Sequence, residues 1–195
     1  MIAFVRHGQT AVNRDGRLQG RVDAPLTDLG REQAASIARC FAPGTVTRVL
    51  SSPLLRARDT AAAIASVHGV AVEVDERLVE LDYGEWDRRA LADVTAEEWR
   101  RWRADPSFSP PGGESLVEVA ERVASFCEER LGDDLVVAVS HVSPIKAAVC
   151  WALGVDQRAT WRMHLELASV TRIVRRGGVG VLASYNETAH LTAAR

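Results

Sequence analysis

Lysine is almost absent: Lys146 is the only one in 195 residues, and every other basic residue is an arginine. Base composition alone produces such an excess, so no function is attached to it. Cysteine is scarce as well. Cys40, Cys127 and Cys150 are odd in number and lack metal-ligand spacing, which argues against a disulfide framework and for buried thiols in a reducing cytoplasm. No apolar run approaches the roughly 20 residues of a membrane span, and the amino end lacks the basic-then-apolar order of a signal peptide. Neither membrane nor secretion is therefore expected. Charge of one sign is missing too. The 24 basic and 26 acidic residues leave a formal net charge of -2, which argues against a general nucleic-acid binder. There is no His-x-x-x-His, no paired-Asp motif and no Cys pair, so no metal and no other cofactor is expected.

What remains is the balance of a soluble globular protein, with 47% hydrophobic and 26% charged residues. This length suits a single domain, 1–195, with a sizeable core. Met1 to Val5 reads as a buried strand, and Ala11 to Pro25 as an ordered loop. Thr27 caps a helix to about Cys40, closed by Pro43-Gly44. A strand over Val46 to Ser51 and a helix from Leu54 to about Val67 follow, then Gly69 and a strand over Val70 to Val74. From about 75 to 113 the pattern is irregular, with a short helix from Thr95 to Ala104 and a Pro-Gly-rich end. That stretch is too short to bury a core alone and reads as a small lid insertion. Ser115-Leu116-Val117-Glu118 is a capping box, opening a helix that Gly132 ends. Leu135 to Val139 is apolar enough for a central parallel strand, and Pro144 suits the first turn of a helix reaching Leu153. Val170 to Val174 and Val179 to Ser184 read as a closing hairpin around Gly177-Gly178. The alternation predicts an α/β fold of three layers, α/β/α, around a mostly parallel central sheet.

Three strands in this reading end in polar clusters: Arg6-His7-Gly8, Ser51-Ser52-Pro53 and Ser140-His141. Parallel strands bring such ends to one edge of the sheet, where α/β proteins place their ligands. Arg56, one turn past Ser52, points back to that edge. Two arginines, two histidines and a helix amino end are a phosphate pocket by their chemistry. A neutral imidazole there can attack phosphorus, and neighbouring arginines keep it neutral near pH 7. Glu80, flanked by Leu78, Val79 and Leu81, is a candidate proton donor.

The motifs Arg6-His7-Gly8-Gln9-Thr10 with Asn13, Gln19-Gly20 … Pro25-Leu26-Thr27-x-x-Gly30, Ser51-Ser52-Pro53-Leu54-x-Arg56-Ala57-x-x-Thr60, Glu80-x-x-Tyr83-Gly84-x-Trp86, Pro111-Gly112-Gly113-Glu114-Ser115 and Ser140-His141 together resemble the histidine phosphatase superfamily, the phosphoglycerate mutase-like proteins. The run from Ser140 to Lys146, with His164–Ser169 and Asn186–Leu191, resembles α-ribazole phosphatase-like and acid phosphatase members most. The resemblance implies that His7 is the phosphorylated nucleophile and that Arg6, Arg56 and His141 hold the phosphoryl group. Asn13 then adds a hydrogen bond, and Glu80 is proton donor and later base for water. Gln19, Gly20 and the Val142 amide are carried over as further phosphate or substrate contacts. Two departures stand out: Val142 where many members have Gly, and Trp86-Asp87-Arg88 where Trp-Glu-Gly is usual.

The implied activity is a metal-independent phosphatase for small phosphomonoesters, with a small phosphorylated metabolite as partner and a homodimer as an assembly left open. Phosphoglycerate mutase-type transfer is the alternative within the family, although such mutases are usually longer. A non-catalytic phosphate-binding module is the other, and the intact His7, Arg6, Arg56 and His141 set argues against it. Trp99 and Trp102, at helical spacing, read as packing, and His164 and His190 as structural.

Overall fold

Strand β1 (Ile2–Arg6) buries Ile2, Ala3, Phe4 and Val5 completely, so it has to lie inside a sheet covered on both faces. A computed structural model describes residues 1–132 and 134–194 and places it there. The strands follow as β2 (Val46–Ser51), β3 (Val72–Val74), β4 (Leu135–Ser140), β5 (Val170–Arg176) and β6 (Val179–Glu187). Their order in the sheet is β3-β2-β4-β1-β5-β6. β1, β2, β3 and β4 run parallel, while β5 and β6 form an antiparallel hairpin at one edge. Gly177 and Gly178 turn that hairpin at φ 58° and 84°, a conformation that favours glycine.

The helices are α1 (Ala11–Arg14), α2 (Asp28–Ala38), α3 (Leu55–His68), α4 (Ala96–Ala104), α5 (Leu116–Arg130) and α6 (Val142–Leu153). Alternate strand residues face opposite layers. Ile2, Phe4 and Ala138 pack with Val123 and Phe126 of α5 and Ile145 of α6. Ala3, Val5 and Val139 pack with Ile37 of α2 and with Ala57 and Ile64 of α3. This is the expected α/β/α arrangement.

Three local differences matter. The stretch expected as a plain loop, Ala11 to Pro25, begins with helix α1, capped by Thr10. The capping box there closes with Asn13 in place of the usual Glu or Gln, which hides it from pattern reading. The strand expected from Val70 is shorter, starting at Val72. Within 75–113, Leu78, Leu81, Trp86 and Trp102 are built into the same core cluster as α5, so the stretch is anchored to the core at these side chains.

Candidate active site

The register of the parallel strands assembles the site. Arg6 pairs with Ser140 and Ser51 with Val139, so β1, β2 and β4 end level. One residue further, His7 N–H donates to Ser140 O at 3.1 Å and Ser52 N–H to Val139 O at 2.9 Å. His7, Ser52 and His141 therefore lie on one edge, and the rings of His7 and His141 are 5.0 Å apart. Gly8 has to lack a side chain, because a Cβ there would drive into the backbone of Gly30.

His7 is 3% exposed, and its Nδ1 lies 2.7 Å from Gly8 O, which only an N–H can satisfy. Burial, then the charges of Arg56 and Arg6, hold its pKa well below the usual 6.5. The ring is neutral near pH 7, and the proton on Nδ1 leaves Nε2 as a lone pair. Arg56 Nε donates to that lone pair at 3.2 Å. Arg56 is fully buried, with Nη2 donating to Gly20 O at 2.7 Å and Nη1 to Val22 O at 3.0 Å. Its pKa is lowered by burial.

In the same cavity wall as His7 are two buried donors that, among the described residues, have no hydrogen-bond partner: Arg6 Nε and Gln19 Nε2. Arg6 also donates through Nη1 to Leu165 O at 2.6 Å, and burial brings its pKa down to about 10. Gln19 is fixed by Thr10, whose hydroxyl donates to Oε1 at 2.7 Å. His141 stands beside this set. Ser52 Oγ accepts from Leu54 N–H at 3.3 Å and lies 2.7 Å from His141 Nε2. His141 Nδ1 is buried and, among the described residues, has no hydrogen-bond partner. Burial, Arg56 and His7 keep this ring's pKa well below 6.5. Unpaired buried donors are costly, so their gathering beside a neutral imidazole in one cavity marks a place for an oxyanion.

Glu80 is 4% exposed, yet its carboxyl group does not sit among apolar side chains. Leu78 and Leu81 turn into the core, while the carboxyl oxygens meet backbone amides. Oε1 accepts from Leu81 N–H at 2.8 Å and Ser143 N–H at 3.2 Å; among the described residues Oε2 accepts only from Val142 N–H, at 3.1 Å. Oε2 thus keeps a lone pair for a proton.

A model of the "Histidine phosphatase superfamily (branch 1)" matches residues 2–188. The chain belongs to the histidine phosphatase superfamily. Curated relatives include a bifunctional protein of Mycobacterium tuberculosis, 37% identical over 87% of this chain and 49% of that protein. This chain spans about half the length of the first such relatives, 49%. Phosphoserine phosphatase 1 of Hydrogenobacter thermophilus is 34% identical over 97% of this chain and 93% of its own. Among solved structures, a mycobacterial glucosyl-3-phosphoglycerate phosphatase complexed with VO3 superposes with a TM-score of 0.88. It is 30% identical over 96% of this chain and 98% of that one.

The structure brings Arg6, His7, Asn13, Gln19, Glu80 and Val142 to the wall of one cavity of about 260 Å³. Arg56 and His141 lie fully buried against His7. Two of the carried-over contacts are engaged by protein groups. The Val142 amide donates to Glu80. Gly20 does not line the cavity; its N–H donates to Asp87 Oδ1 at 2.9 Å, and its carbonyl holds Arg56. Both amides are taken by buried or half-buried carboxylates that need donors. Asn13 presents its Oδ1 to Thr10 N–H at 3.2 Å.

Sequence reasoning missed other wall residues: Arg17, Lys146, Thr160 and Trp161. Thr160 and Trp161 come from a 3-10 turn, Gln157–Arg162, too short to leave a periodic signal. Lys146 carries one available signal, its place one turn after Val142 on α6. Burial, then Arg6, lowers its pKa from 10.5. Among the described residues no cluster of His, Cys, Asp and Glu is placed to hold a metal ion.

Proposed function

We propose that this chain hydrolyses phosphomonoesters of small metabolites through a phosphohistidine on His7. One observation carries the reading: a buried, neutral His7, its Nε2 lone pair met by Arg56, shares one cavity with Arg6 Nε and Gln19 Nε2, buried donors that have no partner among the described residues. Arg56 Nε shifts its hydrogen bond from His7 Nε2 to a phosphoryl oxygen; the freed Nε2 lone pair attacks phosphorus, the bond from phosphorus to the ester oxygen breaks, and the departing alkoxide takes a proton from Glu80 Oε2. Water then attacks the phosphohistidine, gives its proton back to Glu80, and releases inorganic phosphate with His7 neutral again. Arg6 and Arg56 supply the positive charge that the transferring group needs, and the donors are fixed before the reaction.

The phosphatase relatives support the same reading, as does the carboxyl of Glu80 lining the same cavity as His7. The segment 75–113 acts in this reading as the wall of the leaving-group side. Among the described residues no helix is long and apolar enough to cross a membrane. The free thiols Cys40, Cys127 and Cys150 suit the reducing cytoplasm, where we place the protein.

The test is rapid quench of labelled phosphomonoester in the presence of chelator. An acid-labile, base-stable phosphoenzyme is expected in the wild type and absent in His7→Ala, with release of inorganic phosphate. Undiminished turnover by His7→Ala would overturn the assignment.

A further inference from the structure

The cavity that opens onto His7 has a wall that phosphate chemistry does not require. Trp99 and Trp102 of α4 and Trp161 of the 3-10 turn all line it. The indoles form one cluster. Trp99 stacks on Trp102 at 5.6 Å and 11°, and Trp161 meets them edge-on at 6.0 Å with 83° and 5.0 Å with 74°. Arg103 backs the cluster, 5.2 Å from the Trp99 ring and 5.9 Å from Trp161. Trp99 and Trp102 do pack, as their spacing suggests, and they line the cavity as well; Trp102 is buried, while Trp99 and Trp161 are half-buried.

We infer that the leaving group of the substrate carries an aromatic ring, seated against Trp99 and Trp161. For its chemistry this rests on the phosphatase reading, since the ring is the alcohol half of the phosphomonoester. The phosphoryl end is fixed by His7 and Arg6, and Leu18, Leu91 and Leu116 add apolar surface along the same wall. Indoles are rigid, so a ring that docks on them freezes few torsions. Ring-on-ring contact adds to the area term, which an aliphatic group of equal size lacks. Arg17 and Lys146 share the cavity, so a carboxylate-bearing leaving group is the rival to be tested.

Binding of non-hydrolysable phosphonates decides the matter without needing turnover. Titration calorimetry on the full chain would compare 2-phenylethyl-, 2-cyclohexylethyl-, 2-carboxyethyl- and ethylphosphonate. The phenyl compound should bind tightest, at least about tenfold over ethyl and about threefold over cyclohexyl. In Trp161→Leu and Trp99→Leu the phenyl-to-ethyl ratio should fall to about threefold or less. The inference is overturned if the carboxyethyl compound binds tightest, if cyclohexyl equals phenyl, if both variants keep the wild-type ratio, or if no phosphonate binds. Should either variant fail to fold, the wild-type ranking still decides. Turnover of ethyl phosphate is followed in parallel. Turnover without ring preference sinks this inference alone; ring preference without turnover sinks the phosphatase reading alone.

Discussion

Asp87 holds Arg56 in place without touching it. Its Oδ1 accepts from Gly20 N–H at 2.9 Å and its Oδ2 from Val22 N–H at 3.0 Å. The carbonyls of those same two residues accept from Arg56 Nη2 and Nη1. Arg56 Nε is thereby aimed at His7. The departure at Asp87 from the family's usual pattern is thus tied to the site through a backbone relay rather than to the substrate side of the cavity.

Asp87 is accordingly a positioning residue. Asp87→Ala should lower kcat/KM by about tenfold and weaken vanadate inhibition in step, because both depend on Arg56. Asp87→Asn, which keeps one acceptor, should recover part of both. Steady-state kinetics with vanadate titration measures this. A loss of thermal stability with vanadate affinity untouched would make the role merely structural.

Arg56 should tolerate no substitute. Lysine offers one point charge where the guanidinium makes three bonds in fixed directions, to His7, Val22 and Gly20. Arg56→Lys should lose at least about tenfold in kcat/KM, mostly in kcat, since the charge is needed most as the phosphoryl group transfers. Full activity in this variant would count against the site as drawn.

Glu80 is tested through the leaving group. Glu80→Gln should slow phosphorylation of His7 by an alkyl phosphate by about 10²-fold or more. The burst with p-nitrophenyl phosphate should suffer much less, because nitrophenolate departs without a proton. Equal losses on both substrates would remove Glu80 as the acid. The glutamine oxygen in the place of Oε1 still accepts from Leu81 N–H and Ser143 N–H, while Val142 N–H loses its acceptor.

Stability should fall in mild acid. His7 and His141 titrate well below 6.5 in the folded chain but near 6.5 when unfolded. As pH drops through about 6.5 the unfolded state takes up protons that the folded state refuses, so the unfolded side is favoured. The slope is at most about 1.4 kcal/mol per pH unit for each histidine, and neither contributes above that range. Denaturant melts between about pH 5 and 8 should show it, and His141→Asn should remove about half. A flat or rising profile below pH 6.5 would show that the folded rings protonate freely.

The strand-end clusters were legible in the sequence because parallel topology converts them into one edge, and two of the helices because Thr27 and Ser115 cap them as their spacing predicts. What escaped was any role set by a backbone group. Nothing in the residue types says that the Val142 amide belongs to Glu80 or that Gly20 O belongs to Arg56. The aromatic wall escaped for another reason. Trp161 reaches Trp99 and Trp102 across 59 residues or more of chain, on a 3-10 turn without period. Asn13 closing a capping box on Thr10 was hidden by its unusual residue type.

The single lysine gives the chain a built-in reporter. Apart from the α-amine, Lys146 is its only primary amine, and it lies in the wall of the catalytic cavity. Its lowered pKa leaves more of it unprotonated, and so more nucleophilic, than a surface lysine. An amine-directed acylating reagent will therefore tag this protein at one internal address. The mass gained there should fall as the cavity fills, which turns peptide mapping into an occupancy assay for any ligand, with no chromogenic substrate and no engineered label.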